Sequence, residues 1–253
     1  KLSGIAVISA VIGQEDIKEA ANRMGHRFIH SPKISGVIFD LDGVITDSAK
    51  YHYQAWKLLA DRLNIPFDET YNENLKGVSR MESLELLLKN GNMQNSFSEE
   101  EKLAMAEEKN ELYKELIKQI TPEDVLPGVL EFIKELKSKQ IKTAVASVSK
   151  NADFLLKQLN VKEYFDYVCD PASIQNHKPD PEIFLAAAKG LGVDPVNCIG
   201  IEDAEAGIEA INAANMFSVG VGSPKQMQKA KLVLSGTDRL RLSIIADASN
   251  MKI

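Results

Sequence analysis

The sequence predicts an α/β fold: a doubly wound parallel sheet with a helical bundle inserted after its first strand. Three observations predict it. Residues 34–40, ISGVIFD, form an unbroken apolar run ending in Asp, the pattern of a strand buried on both faces. Residues 48–118 carry helical periodicity with no strand pattern between. From Thr121 onward, helix and strand patterns alternate, and βα alternation builds a parallel sheet.

Taken in order, residues 1–32 read as an N-terminal extension without an assigned role. GIAVISAVIG has strand character, QEDIKEAANRMG reads as a helix ending at Gly25, and HRFIHSPK as a linker broken by Pro32. His26 and His30 are expected on the linker surface rather than on a metal. Residues 33–47 and 119–253 form the expected core domain, and residues 48–118 the expected cap. One cap helix is expected from about Ser48 to Leu63, with Tyr53, Trp56, Leu59, Ala60 and Leu63 at helical spacing. A second opens at Ser79, which forms a capping-box pattern with Glu82; a third opens at Ser98 with Glu101 and carries Leu112, Leu116 and Ile120. In the core, PGVLEFIKELKSK, SKNADFLLKQL, DPEIFLAAAKGLG and AEAGIEAINAAN read as helices, and IKTAVAS, YFDYVCD, VNCIGI and FSVGVG as strands. Asp180 is the expected N-cap of the DPEIF helix, with Pro181 at its first position and Gly190 or Gly192 at its end. The charge runs KSK and KQMQKAK read as solvated faces or helix ends.

A chain of 253 residues with 44% hydrophobic and 26% charged residues supports a packed core. The net charge of -6 argues against a nucleic-acid binder, since phosphate backbones need a basic surface. An anionic small ligand stays open, because a few basic residues in a cleft act locally. No apolar run approaches the ~18 residues of a membrane span. Ile5–Ile12 has the length of a signal-peptide core, but the scarcity of basic residues before it and the acidic amphipathic pattern after it favour a strand and a helix. Cys169 and Cys198 form neither a close pair nor a metal spacing, so reduced buried thiols and a cytoplasmic location are expected.

Ligands of doubly wound sheets bind outside the carboxyl ends of the strands. The first strand ends in DLDGVITD, residues 40–47. IKTAVAS ends at Ser147, Lys178 precedes the DPEIF helix, and VNCIGI runs into Glu202 and Asp203. Charges gathered at one end of a sheet are costly unless they pair or hold a cation. Together they suit phosphoryl transfer, which needs a nucleophile, an acid and positive charge around a spread-out anion. Asp40 and Asp42 lie two apart, so one can attack while the other carries a proton; their mutual repulsion is expected to raise one pKa. Glu202 and Asp203 offer hard oxygens suited to Mg²⁺. Lys178 offers a point charge and Ser147 a hydrogen bond to the phosphate. Gly43 lets the backbone turn sharply beside it.

With these residues in place, the sequence resembles the haloacid-dehalogenase (HAD) superfamily over about residues 34–253, and within it is most similar to the β-phosphoglucomutase family. FDLDGVITDSAKYHYQAWK, LKGVSR, ASVSKN, HKPDPEIF and GIEDAEAGIEAI carry the resemblance. It implies a Rossmann-like core with a helical cap, Asp40 as the residue that becomes an aspartyl phosphate, and Asp42 as general acid/base. It implies Mg²⁺ held by Asp40, the Asp42 carbonyl, Glu202 and Asp203, and a transferring phosphate held by Ser147 and Lys178. Arg80 resembles the grip on a second phosphate, assisted by Ser149 and Asn151; a guanidinium fork suits that task. His52 and Lys76 resemble a pair linking cap closure to Asp42. Gly77 and Trp56 complete the expected substrate side, although Trp56 also has the spacing of a cap-core residue. Ser48 and Val148 depart from the family's usual Thr and Ala. The implied reaction interconverts β-glucose 1-phosphate and glucose 6-phosphate; a phosphatase on sugar or small organic phosphates is the alternative, and a non-catalytic binding protein the third. The expected partners are sugar phosphates, with no nucleic acid and no membrane, and the expected state is a monomer.

Overall fold

The computed structural model describes residues 32–75 and 78–253. The expectations for residues 1–31, with His26 and His30, and for Lys76 and Gly77 lie outside the described residues. The sheet is built from β1 (Gly36–Phe39), β2 (Lys142–Val145), β3 (Tyr167–Val168), β4 (Cys198–Glu202), β5 (Phe217–Val221) and β6 (Leu232–Leu234). It has six strands in the order β3-β2-β1-β4-β5-β6, all paired in parallel. β1 lies between β2 and β4, so the strand order reverses beside it and opens a crevice at its carboxyl end.

Burial on both faces explains the unbroken apolar run of β1. Val37 and Phe39 point into one core cluster and Ile38 into the other, as the twofold pleat requires. Phe39 packs edge-on against Phe132 at 6.0 Å and Phe165 at 5.8 Å. Upstream of β1, Lys33 and Lys252 form a parallel bridge, Ile34 N donating to Lys252 O at 2.8 Å and Lys252 N to Pro32 O at 2.9 Å.

Between β1 and β2 come α1 (Ala49–Arg62), α2 (Glu69–Asn72), α3 (Arg80–Asn90), α4 (Glu99–Ile117) and α5 (Val129–Ser138). Both capping boxes form at Ser79 and Ser98. Trp56, Leu59, Leu84, Leu87, Leu88 and Ala106 make a separate cluster in the helical insert. The base of α4 joins the main core through Tyr113 and Ile117. Its helix stops at Ile117, so Ile120 lies in the connection rather than on the helix. That connection runs beside the outgoing one: Thr46 pairs antiparallel with Val125, and Thr46 Oγ1 donates to Asp124 O at 2.8 Å.

α6 (Ala152–Gln158), α7 (Glu182–Leu191), α8 (Glu205–Ala213) and α9 (Leu242–Ser249) complete the layers. On α7, Ile183, Phe184, Ala187, Ala188 and Leu191 recur at helical spacing and are buried. Its N-cap is Pro181, one residue later than expected, yet Asp180 still supplies the cap: its Oδ1 accepts from Glu182 N at 2.9 Å. Gly192 ends α7 with φ +64, the left-handed conformation glycine tolerates. β6 and α9 were not anticipated, and the KQMQKAK run lies in turns, with Lys225 and Lys229 exposed as expected of a solvated face and Met227 buried. Among the described residues no helix is long and apolar enough to cross a membrane.

Candidate active site

The crevice at the end of β1 gathers the expected groups. Asp40 follows the last residue of β1, Ser147 lies just beyond β2, Glu202 ends β4, and Asp203 follows it. Carboxylate oxygens of Asp40, Glu202 and Asp203 lie within 4.8 Å of one another. Lys178, from the loop before α7, reaches in to donate to Asp40 Oδ1 at 2.6 Å and Glu202 Oε2 at 2.8 Å. The other Glu202 oxygen accepts from the backbone N–H groups of Asp203 and Ala204 at 3.1 and 3.2 Å. Gly207 on α8 makes room for this carboxylate, since a Cβ there would sit 1.9 Å from Glu202 Oε2. Gly43, at φ +77, does the same for Asp203, whose Oδ2 lies 2.0 Å from where a Cβ would be.

The charges explain why this cluster suits a divalent cation. Three acidic groups meet one ammonium, which leaves a double negative charge in a buried site. Burial, then Glu202, pushes Asp40 up to about 7 against the pull of Lys178, so without further positive charge its ionised form is disfavoured. Burial alone would lower Lys178, but Asp40 and Glu202 override it and hold the ammonium above the ordinary lysine range. Compact carboxylate oxygens balanced to a charge of minus two fit Mg²⁺.

Asp42 is also pushed up, to about 6. Burial is the leading cause, and the carboxylate acting on it is Asp47; the expected repulsion between Asp40 and Asp42 does raise one of them, but that one is Asp40. Ser48 Oγ donates to Asp42 Oδ1 and lies 2.9 Å from Tyr113 Oη, so the hydroxyl at the start of α1 ties Asp42 to α4. Val148, the other departure, is half-buried and lines the cleft.

A cavity of about 480 Å³ extends from this cluster to the helical insert. Asp40, Asp42, His52, Trp56, Arg80, Ser147, Ser149, Asn151, Glu202 and Asp203 border it, so one space unites the expected core and cap residues. At its far end, Arg80 Nη2 and Asn151 Nδ2 both donate to Asn110 Oδ1, at 2.8 and 3.0 Å. Arg80 Nη1 donates to Glu107 Oε2 at 3.0 Å. Trp56 is buried in the insert's own cluster and also borders the cavity.

His52 has a partner that the sequence did not reveal. Its Nδ1 lies 2.7 Å from Lys109 Nζ, and its ring stacks on Tyr113 at 3.9 Å. Among the described residues, Lys109 is thus the amine beside it. Burial, then Arg80, lowers Lys109 to about 7, and burial followed by Lys109 holds His52 well below the usual histidine range. The amine also lies over the Trp56 ring at 4.8 Å and the Tyr113 ring at 4.9 Å. Lys109, Asn110, Tyr113 and Glu107 were absent from the sequence expectations. A signal existed: Lys102, Ala106, Lys109, Asn110, Tyr113 and Ile117 recur on the buried face of α4, and amines on such a face call for a partner.

The geometry is that of a phosphotransfer site, and comparison with known proteins agrees. The model of the haloacid dehalogenase-like hydrolases matches residues 34–215. The chain is 47% identical to the β-phosphoglucomutase of Bacillus subtilis over 212 residues, 84% of this chain and 94% of that protein. A crystal structure of β-phosphoglucomutase from Clostridium difficile shares 53% identity, with a TM-score of 0.84 over 86% of this chain and 97% of that one. A phosphorylated carbohydrates phosphatase of Thermotoga maritima is 32% identical over 72% of this chain and 82% of its own length. The chain belongs to the haloacid dehalogenase-like hydrolase family.

Proposed function

We propose that the protein is a β-phosphoglucomutase, interconverting β-glucose 1-phosphate and glucose 6-phosphate through a phosphorylated Asp40. The observation that carries this reading is one cavity bordered both by Asp40 and Ser147, with Lys178 bonded to Asp40 behind it, and by Arg80 and Asn151, groups suited to a second phosphate. A bisphosphate spans such a cavity, whereas hydrolysis of a monoester needs the first end alone. The two β-phosphoglucomutases at 47% and 53% identity support the same choice.

Asp40 attacks phosphorus, and Lys178, held by two carboxylates, stays protonated to bind the equatorial oxygens. Ser147 adds a hydrogen bond. Asp42, whose raised pKa brings its protonated form within reach near neutral pH, gives a proton to the leaving sugar oxygen and takes one from the attacking hydroxyl in the reverse half-reaction. Ser48 fixes which way Asp42 points, and Tyr113 relays that orientation to α4. Mg²⁺, held by Asp40, Glu202, Asp203 and the Asp42 carbonyl, would supply the charge that keeps Asp40 ionised and screens the phosphate. Residues 48–118 move as a cap against residues 33–47 and 119–253, bending at the paired connections around Thr46 and Val125, and shut water out. The bisphosphate turns over between half-reactions and returns its other phosphate to Asp40.

The test is a coupled assay with anomer-pure β-glucose 1-phosphate, Mg²⁺ and catalytic β-glucose 1,6-bisphosphate. Glucose 6-phosphate is expected to outpace phosphate release. Release exceeding isomerisation on every hexose phosphate would establish instead a phosphatase, the activity named for the Thermotoga maritima relative.

A further inference from the structure

Arg80 opens α3 with its guanidinium already engaged: Nη1 donates to Glu107 Oε2 at 3.0 Å and Nη2 to Asn110 Oδ1 at 2.8 Å. The partners differ in kind. Asn110 is neutral, 5% exposed, and bonded across the cleft to Asn151. Glu107 is anionic, and its side chain is 59% exposed. Asn110 Nδ2 donates to Glu107 Oε1 at 3.2 Å from the next turn of α4, which holds this exposed carboxylate toward the guanidinium. Glu107 also borders the cavity. A phosphate approaching Arg80 therefore meets a carboxylate of the protein's own where its oxygens would bond. These bonds occupy two of the five N–H donors, but a phosphate sharing the guanidinium with Glu107 would set two anions side by side, so a close two-point grip is favoured once one partner gives way. Glu107 is the partner that can leave, because its carboxylate regains water, whereas Asn110 would be stranded in the interior.

We propose that Glu107 is a specificity-determining residue of the second phosphate seat: an internal carboxylate that holds Arg80 while the seat is empty, yields to the ligand's phosphate and weakens the hold upon it. The proposal rests on the reading of Arg80 as the grip for the second phosphate. It suits a bisphosphate that has to let go and turn round, since an unopposed guanidinium would retain one orientation for longer.

Glu107→Gln keeps the size and hydrogen bonding of the side chain and removes its charge. In an Asp40→Asn background, which blocks transfer, β-glucose 1,6-bisphosphate binding with Mg²⁺ is followed by calorimetry. Removing the charge is expected to tighten binding roughly 2- to 10-fold. Unchanged binding overturns the proposal; so does weaker binding, the mark of a carboxylate that only orients Arg80. Arg80→Ala in the same background separates the two readings. If it leaves bisphosphate affinity intact, the second-phosphate role falls and Glu107 with it. If it weakens affinity while Glu107→Gln fails to tighten it, the Glu107 proposal alone is refuted.

Discussion

Gly207→Ala sets two effects of opposite sign against each other. Gly207 lies in the first turn of α8, where alanine is the better helix former by about 1 kcal/mol. On propensity alone the variant gains stability. The structure predicts the reverse. The new methyl would lie 1.9 Å from Glu202 Oε2 and 2.1 Å from its Cδ. Carbon contacts settle near 3.5 Å, so the carboxylate has to retreat by roughly 1.5 Å. Glu202 is 2% exposed and has nowhere wet to go. Oε2 would give up Lys178, and the move disturbs the two backbone donors on Oε1. A charge-assisted bond of this kind contributes about 1.5–3 kcal/mol, so a net loss of roughly 0.5–2 kcal/mol remains after the helical gain. The larger effect falls on the cation: displacing a group that supports metal binding weakens affinity roughly 10- to 100-fold. Mg²⁺ titration of turnover and a urea melt read both. A variant that is more stable than the parent and saturates at the same Mg²⁺ concentration would refute the packing argument and the role given to Glu202 together.

Asp42→Asn removes the acid but keeps the shape, and turnover should fall roughly 10²- to 10⁴-fold; a loss under tenfold would move the proton transfer elsewhere. Lys109 is lowered to about 7 when folded but titrates near 10.4 when unfolded, so the unfolded chain binds more protons between these values and stability rises with pH across that window. Relative to Lys109→Met, the parent should gain up to about 3 kcal/mol between pH 7 and 9.5 in urea unfolding, and parallel curves for the two proteins would show that Lys109 is not buried as an amine. The stacked ring of His52 predicts a second effect of Lys109→Met: loss of the amine at Nδ1 should bring the His52 signal in NMR titrations back toward the ordinary histidine range, and a resonance that does not move would assign its depression to burial alone.

The strand ends and helix caps were legible because each depends on residues close in sequence. ISGVIFD declares burial on both faces, and the Ser79 and Ser98 boxes each form within one turn. Asp40, Ser147, Lys178, Glu202 and Asp203 could be placed because a parallel sheet delivers all its carboxyl ends to one side. What was not legible depends on partners far along the chain. α4 could be read as a cap helix carrying Leu112 and Leu116, but nothing near Lys109 says that His52, 57 residues away, faces its amine. The spacing of Asp40 and Asp42 announced a repulsion, which acts on Asp40, but not the depth that dominates both pKa values and is a property of the folded molecule. β6 escaped notice because Leu232–Leu234 is shorter than a recognisable strand pattern and acquires its role only by pairing with β5.

The bridge between Lys33 and Lys252 has a practical corollary. It lies upstream of β1, and Asp40 lies downstream, roughly 20 Å along the same extended chain. Anchoring the molecule to a bead, an electrode or a second enzyme through a linker beside Lys252 would hold it by the heel of the sheet and leave the mouth of the cleft facing away from the support.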